Sequence, residues 1–216
     1  MGIFWQPADG SGAAEALTTS EKGTIDIPLS FSPDGAWLLF DRVVAGRATL
    51  HALSLRDRRI SRFGTVESSN RTGAIFSPDG KWVAYAVREP GRSNQLFVEP
   101  FPATGAKYLV SVSTEDAHHP VWSPDGKELF YTPGPGNRAT RVPVTFTPAL
   151  AFGTASAFER PFTNLASSSD RGYDMMPDGR RFLSVTDPLL AEGTLRSLTV
   201  VVNWFEELKA RVPAGK

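Results

Sequence analysis

The chain has 216 residues, 41% of them apolar, and its 23 Lys+Arg balance 23 Asp+Glu. A neutral chain offers no net field to nucleic acid or an anionic membrane surface. The absence of cysteine excludes disulfides, thiolate metal sites and a cysteine nucleophile, and no apolar run approaches the roughly 18 residues of a membrane span.

Met1-Gly2-Ile3-Phe4-Trp5 lacks a basic segment followed by a long apolar one, so it is no secretory leader; work outside the cytoplasm would need a targeting segment upstream. Ile3 to Gln6 and Glu15 to Thr18, around the turn Pro7 to Gly12, read as the closing half of a blade over residues 1–20. Four related corners follow: FSPDGAWLLF (Phe31 to Phe40), FSPDGKWVAY (Phe76 to Tyr85), WSPDGKELFY (Trp122 to Tyr131) and the degenerate MMPDGRRFLS (Met175 to Ser184). Their prolines stand at 33, 78, 124 and 177, at intervals of 45, 46 and 53. Four-stranded propeller blades repeat at about 40 to 50 residues and tetratricopeptide helices at about 34, so the period selects β-blades.

Each corner encodes a hairpin. Proline sets φ for the first turn position, aspartate bonds nearby backbone, and glycine takes the left-handed conformation that rejoins the strand. The runs after the corners are short, aromatic and β-branched, as strands packed between neighbouring sheets require. Trp37, Phe40, Trp82, Tyr85, Phe130 and Tyr131 are expected to pack between blades, and Asp34, Asp79, Asp125 and Asp178 to be structural.

Full blades are predicted over about 24–64, 70–112, 117–162 and 169–203. In the third, Ala139 to Phe146 and Ala157 to Phe162 supply the outer strands, with a loop insertion at Thr147 to Thr154; Pro143 and Pro148 argue for an edge or irregular course. The fourth has Tyr173 to Met176, Arg181 to Val185 and Ser197 to Val202, with no clear fourth strand. The tail, 204–216, opens on a short helix capped by Asn203 and stopped by Pro213. The prediction is therefore an all-β propeller, four blades plus a half blade in an incomplete ring, with a short C-terminal helix. Its uncovered edges are a template for self-association.

The strand, the SPDGKxxAY/F corner and the strand ending in a polar turn, repeated over Ile3 to Val202, resemble the WD-repeat-like blades of the TolB-type β-propeller family. The resemblance implies a periplasmic or extracytoplasmic location and a protein or peptide partner. The close Val200 to Lys209 is similar to the terminus of bacterial proteins in which such a propeller follows a serine/threonine kinase domain and a membrane span, which implies a sensory or scaffolding part. The same blades also form the substrate-gating propeller of prolyl-oligopeptidase-type serine peptidases, the alternative reading. Fold alone does not choose among these.

No Gly-x-Ser-x-Gly elbow, phosphate-binding loop or kinase signature occurs, so a non-catalytic module without cofactor is expected. Glu115-Asp116-Ala117-His118-His119-Pro120 gathers metal-ligand types, but adjacent strand residues point to opposite faces, so His118 and His119 are not expected to share a metal. The first strand of each propeller blade lines the channel, so residues six to eight before each turn proline should ring one mouth. That places Asp26, Asn70, Arg71, Asp116, His118, Asp170 and Arg171 at a candidate site for a ligand or a partner's peptide.

Overall fold

The computed structural model describes residues 1–111, 115–134, 138–159 and 166–184, all of them in strands, turns and loops. A two-stranded leaf, β1 (Phe4–Trp5) with β2 (Glu15–Ala16), opens the chain. The first full sheet is the antiparallel meander β3 (Thr24–Phe31), β4 (Trp37–Val44), β5 (Arg47–Ser54) and β6 (Ile60–Ser68). A second meander runs β7 (Ile75–Phe76), β8 (Trp82–Val87), β9 (Gln95–Pro100) and β10 (Tyr108–Leu109). The third sheet joins β11 (His118–Trp122), β12 (Glu128–Thr132) and β13 (Arg138–Thr145), with β14 (Ala151–Phe152) and β15 (Ser156–Glu159) both on the far side of β13. The fourth shows β16 (Tyr173–Met175) paired with β17 (Phe182–Ser184). The strand read at Ser197 to Val202 and the C-terminal helix lie outside the described residues.

The corners are built as their residues require. The hydroxyls of Ser32, Ser77 and Ser123 donate to Asp34, Asp79 and Asp125 at 2.5, 2.5 and 2.7 Å. The same oxygens accept the backbone N–H five residues on, from Trp37, Trp82 and Glu128. Each aspartate also accepts the amide two residues later. The fourth corner has Met176 in place of serine; there Asp178 accepts from the Arg181 guanidinium at 2.7 and 2.9 Å. Successive corners stack. A Cβ at Gly80 would meet Pro33 at 3.3 Å, at Gly126 Pro78 at 3.8 Å and at Gly179 Pro124 at 3.4 Å, and all three glycines have positive φ.

Alternation along the second strands loads both faces of each sheet. Leu39 and Leu50 of the first sheet pack with Phe63 on Phe76, Val83 and Tyr85 of the second. Ala84, Leu96 and Val98 then face Trp122, Leu129, Tyr131 and Val142 of the third. On its other side the first sheet buries Leu38, Phe40 and Leu53 under Ile3 and Leu17 of the opening leaf. The innermost strands meet in order, β3 with β7, β7 with β11 and β11 with β16. This is the layering of propeller blades.

Pro143 lies within β13, between β12 and the outer strands rather than at an edge. Its nitrogen side faces outward, where the partner changes from β15, opposite Arg141, to β14, opposite Val144. The missing N–H therefore falls in a gap of the outer ladder, which is how an interior strand accommodates proline. The insertion read as a loop carries β14.

Candidate functional site

A cavity of about 580 Å³ opens where the four sheets converge, lined by Pro28 and Leu29 from the first, Arg71 to Ala74 from the second, His118 and His119 from the third, and Ser169 to Asp174 with Leu183 from the fourth. Four of the seven residues expected at the channel mouth, Arg71, His118, Asp170 and Arg171, line it. The other three are engaged beside it. Asp26 takes a two-pronged bond from Arg42 at 2.7 and 2.8 Å. Burial pushes its carboxyl up, but the bonds from Arg42, Thr18 and Ser20 outweigh this and hold it below the usual carboxylate range. Asp116 accepts the Asn94 amide N–H at 2.8 Å and the Asn94 side chain at 2.6 Å; these bonds, with the nearby His118 and Arg88, outweigh its burial and lower its pKa. The Asn70 amide donates to the Ser69 carbonyl at 3.1 Å and accepts from Ser167 and Arg88 at 3.1 and 3.3 Å.

Arg71 of the second sheet pairs with Asp170, which leads into the fourth and is largely exposed. The pair spans the cavity and leaves both charges within a ligand's reach. Arg171 is a brace: its guanidinium donates to the Tyr173 and Pro120 carbonyls at 3.0 and 3.1 Å and approaches Asp174 at 3.8 Å. Apolar Pro28, Leu29, Ala74 and Leu183 supply the rest of the wall. A concave surface with a few convergent polar groups on apolar walls suits a ligand or a peptide.

The two adjacent histidines correct the sequence reading. Alternation should send them to opposite faces, yet their Nδ1 atoms lie 2.9 Å apart. The register of β11 shifts between His118 and Val121, and His119 has φ 54, so a bulge turns the second ring back onto the first. His119 is a buried, left-handed residue ahead of proline, an uncommon combination. Two contacts from the fourth sheet hold it: its Nε2 meets the Ser169 carbonyl at 2.9 Å and its own carbonyl accepts the Tyr173 hydroxyl at 2.6 Å. A carbonyl only accepts, so His119 carries a proton on Nε2, and when that ring is neutral its Nδ1 accepts from His118. Among the described residues no three His, Asp or Glu side chains group closely enough to hold a metal ion.

Sequence reasoning missed Asp41, which lies directly behind the cavity wall. It is fully buried on β4 and accepts both the Thr72 N–H at 2.8 Å and the Thr72 hydroxyl at 2.7 Å, tying the first sheet to the second. Burial raises its pKa to about 6 despite those bonds and the nearby Arg71 charge. The signal was an acid inside an apolar run, Leu38-Leu39-Phe40-Asp41.

No protein-family profile matches the chain. The Tol-Pal system protein TolB of Anaeromyxobacter dehalogenans (strain 2CP-C) is 32% identical over 114 residues, 53% of this chain and 25% of that protein. Over those 114 residues the chain is similar to TolB. TolB from Acinetobacter baumannii superposes with a TM-score of 0.63 at 22% identity, over 86% of this chain and 43% of that one. A TolB assigned to Agrobacterium tumefaciens gives 0.60 at 16% identity, over 85% and 66%. The structural matches establish the propeller fold, and the aligned segment spans about a quarter of the curated TolB. The kinase-linked close read at Val200 to Lys209 lies outside the described residues.

Proposed function

We propose that this chain is a non-catalytic binding module that works outside the cytoplasm in the cell envelope and takes a peptide segment of a protein partner at the convergence of its four sheets. The observation that carries the reading is the cavity itself, walled by all four sheets, with the Arg71–Asp170 pair across it and apolar residues around it. A peptide backbone and a carboxylate can exchange with Asp170 for Arg71, while Leu29, Ala74 and Leu183 accept an apolar side chain. The TolB-like homology supports a protein-binding rather than an enzymatic role, and it is also the ground for an extracytoplasmic placement.

The test is site-specific photocrosslinking in envelope extracts, with benzoylphenylalanine at Leu183 in the cavity and, as control, at exposed Lys22. A discrete polypeptide crosslinked from position 183, absent from position 22 and lost on Arg71→Glu, is the expected result. Equal labelling from both positions, or labelling indifferent to Arg71→Glu in a folded protein, would reject the cavity as the site.

A further inference from the structure

A second cavity, of about 480 Å³, lies on the seam between the third and fourth sheets, lined by Glu128, Phe130, Arg141, Phe158, Arg180 and Phe182 among others. Its origin is a substitution within the repeat. Trp37 stands opposite Ser54 on β5, Trp82 opposite Pro100 on β9, and Glu128 opposite Pro143 on β13, so the three residues are equivalent in register. The two tryptophans fill the seams ahead of them: Trp37 meets Phe101 of the second sheet edge-on at 5.3 Å, and Trp82 meets Phe146 of the third at 5.6 Å. Glu128 instead turns to Arg141 at 3.5 Å. The corners keep their spacing across this seam, since Gly179 still sits on Pro124. Among the described residues, no indole fills this seam as Trp37 and Trp82 fill theirs, and a cavity borders Glu128.

What is left is chemically specific. Phe130, Phe158 and Phe182 form one aromatic wall, with ring centroids 5.3 to 6.3 Å apart. Two guanidiniums border it. Arg141 is matched by Glu128, whereas the Arg180 side chain has no ion pair among the described residues. Phenyl rings take another aromatic ring edge-on or offset, guanidiniums stack on aromatic faces, and a free arginine binds a carboxylate through two parallel bonds. A cationic ligand would meet the surplus positive charge.

We propose that this seam is a second binding site, separate from the central cavity, for a partner peptide that inserts a tryptophan or phenylalanine side chain next to a carboxylate. The inserted ring supplies in trans what Trp37 and Trp82 supply within the chain, and Arg180 reads the acid.

The three methionines, Met1, Met175 and Met176, make the test direct. Met175 lines the seam, while Met1 is at the far end of the chain beside Thr24. The full chain carrying ¹³C-methyl methionine is titrated with N-acetyl-tryptophan and with N-acetyl-tryptophanamide. The acid should move the Met175 methyl saturably and leave Met1 still, with the amide weaker by about fivefold, the scale of one exposed ion pair. Arg180→Glu, at an exposed position, should reverse that preference. Glu128→Trp should abolish the response by filling the seam from within. Arg71→Glu should leave it intact, which separates this proposal from the reading of the central cavity. No saturable shift at Met175, equal shifts at Met1, or acid and amide binding alike in both the parent and Arg180→Glu would overturn it.

Discussion

The seam between the first two sheets and the seam between the last two are built from the same corners and filled differently. In the first, Trp37 lies against Phe101, which in turn packs on Phe63 and Phe76, and the apolar layer is continuous from Leu39 to Tyr85. In the last, Glu128 replaces the tryptophan, the described residues include a smaller cluster of buried Val121 and Tyr173 with Met175 and Phe182 packed against it, and a cavity borders Glu128. Corner geometry sets the spacing of blades, while one register position decides whether a seam is closed or open. The polar ties differ as well. Asp41 accepts from Thr72 across the first seam, and the equivalent Thr132 lies 3.4 Å from the Tyr173 hydroxyl across the last.

The largest effect should come from breaking the closed seam. Trp37→Ala removes a partly buried indole and leaves its neighbours unfilled, a loss of about 3 kcal/mol in urea unfolding, whereas Glu128→Ala should change stability by less than about 0.5 kcal/mol because its ion pair is half exposed. Equal losses at the two positions would mean that the seams are energetically alike.

The buried carboxylate gives the next largest. For Asp41 the folded pKa of about 6 stands above the ordinary carboxyl value of 3.8, so the native state binds the proton more tightly. Stability from this group is full below pH 3.8, and is lost as pH rises through 6. The loss approaches about 3 kcal/mol for a shift of that size. Asp41→Asn keeps an acceptor for the Thr72 N–H and offers a donor to its hydroxyl, so the variant should lose this pH dependence between 4 and 7 and gain most against the parent at pH 8. A parallel pair of pH–stability curves would refute the assignment.

A smaller change sharpens the corner comparison. Met176→Ser restores the serine that the first three corners use to bond both aspartate and backbone, and should stabilise the fourth corner by about 1 kcal/mol, visible as slowed hydrogen exchange at Arg181. Ser77→Ala should cost a similar amount in the second corner, seen in denaturant unfolding.

Much of this architecture was legible in the chain. Corners and flanking strands are local: proline, aspartate and glycine specify a hairpin within five residues, and their spacing reports the repeat. The interdigitated faces followed from alternation, as Leu38, Leu39 and Phe40 show by packing on opposite sides. The candidate site was half legible. Counting back from the prolines located Arg71, His118, Asp170 and Arg171, but Asp26, Asn70 and Asp116 satisfy neighbouring donors and acceptors, which no spacing encodes. His118 and His119 eluded the alternation argument because a bulge breaks period two, and the bonds that hold it come from Ser169 and Tyr173, some fifty residues on. Long-range partners of that kind are invisible to a local pattern.

The contact of each corner glycine with the preceding corner's proline has a further consequence. A residue that shapes its own hairpin also serves as the bearing on which the following one rests, and the clearance there is smaller than a methyl group requires at Gly80. The tetrapeptide thereby sets the fit between adjacent sheets as well as its own turn. An alanine at Gly80 would press on Pro33 by a few tenths of an ångström and take on a strained positive φ, so that one substitution would disturb two neighbouring hairpins at once.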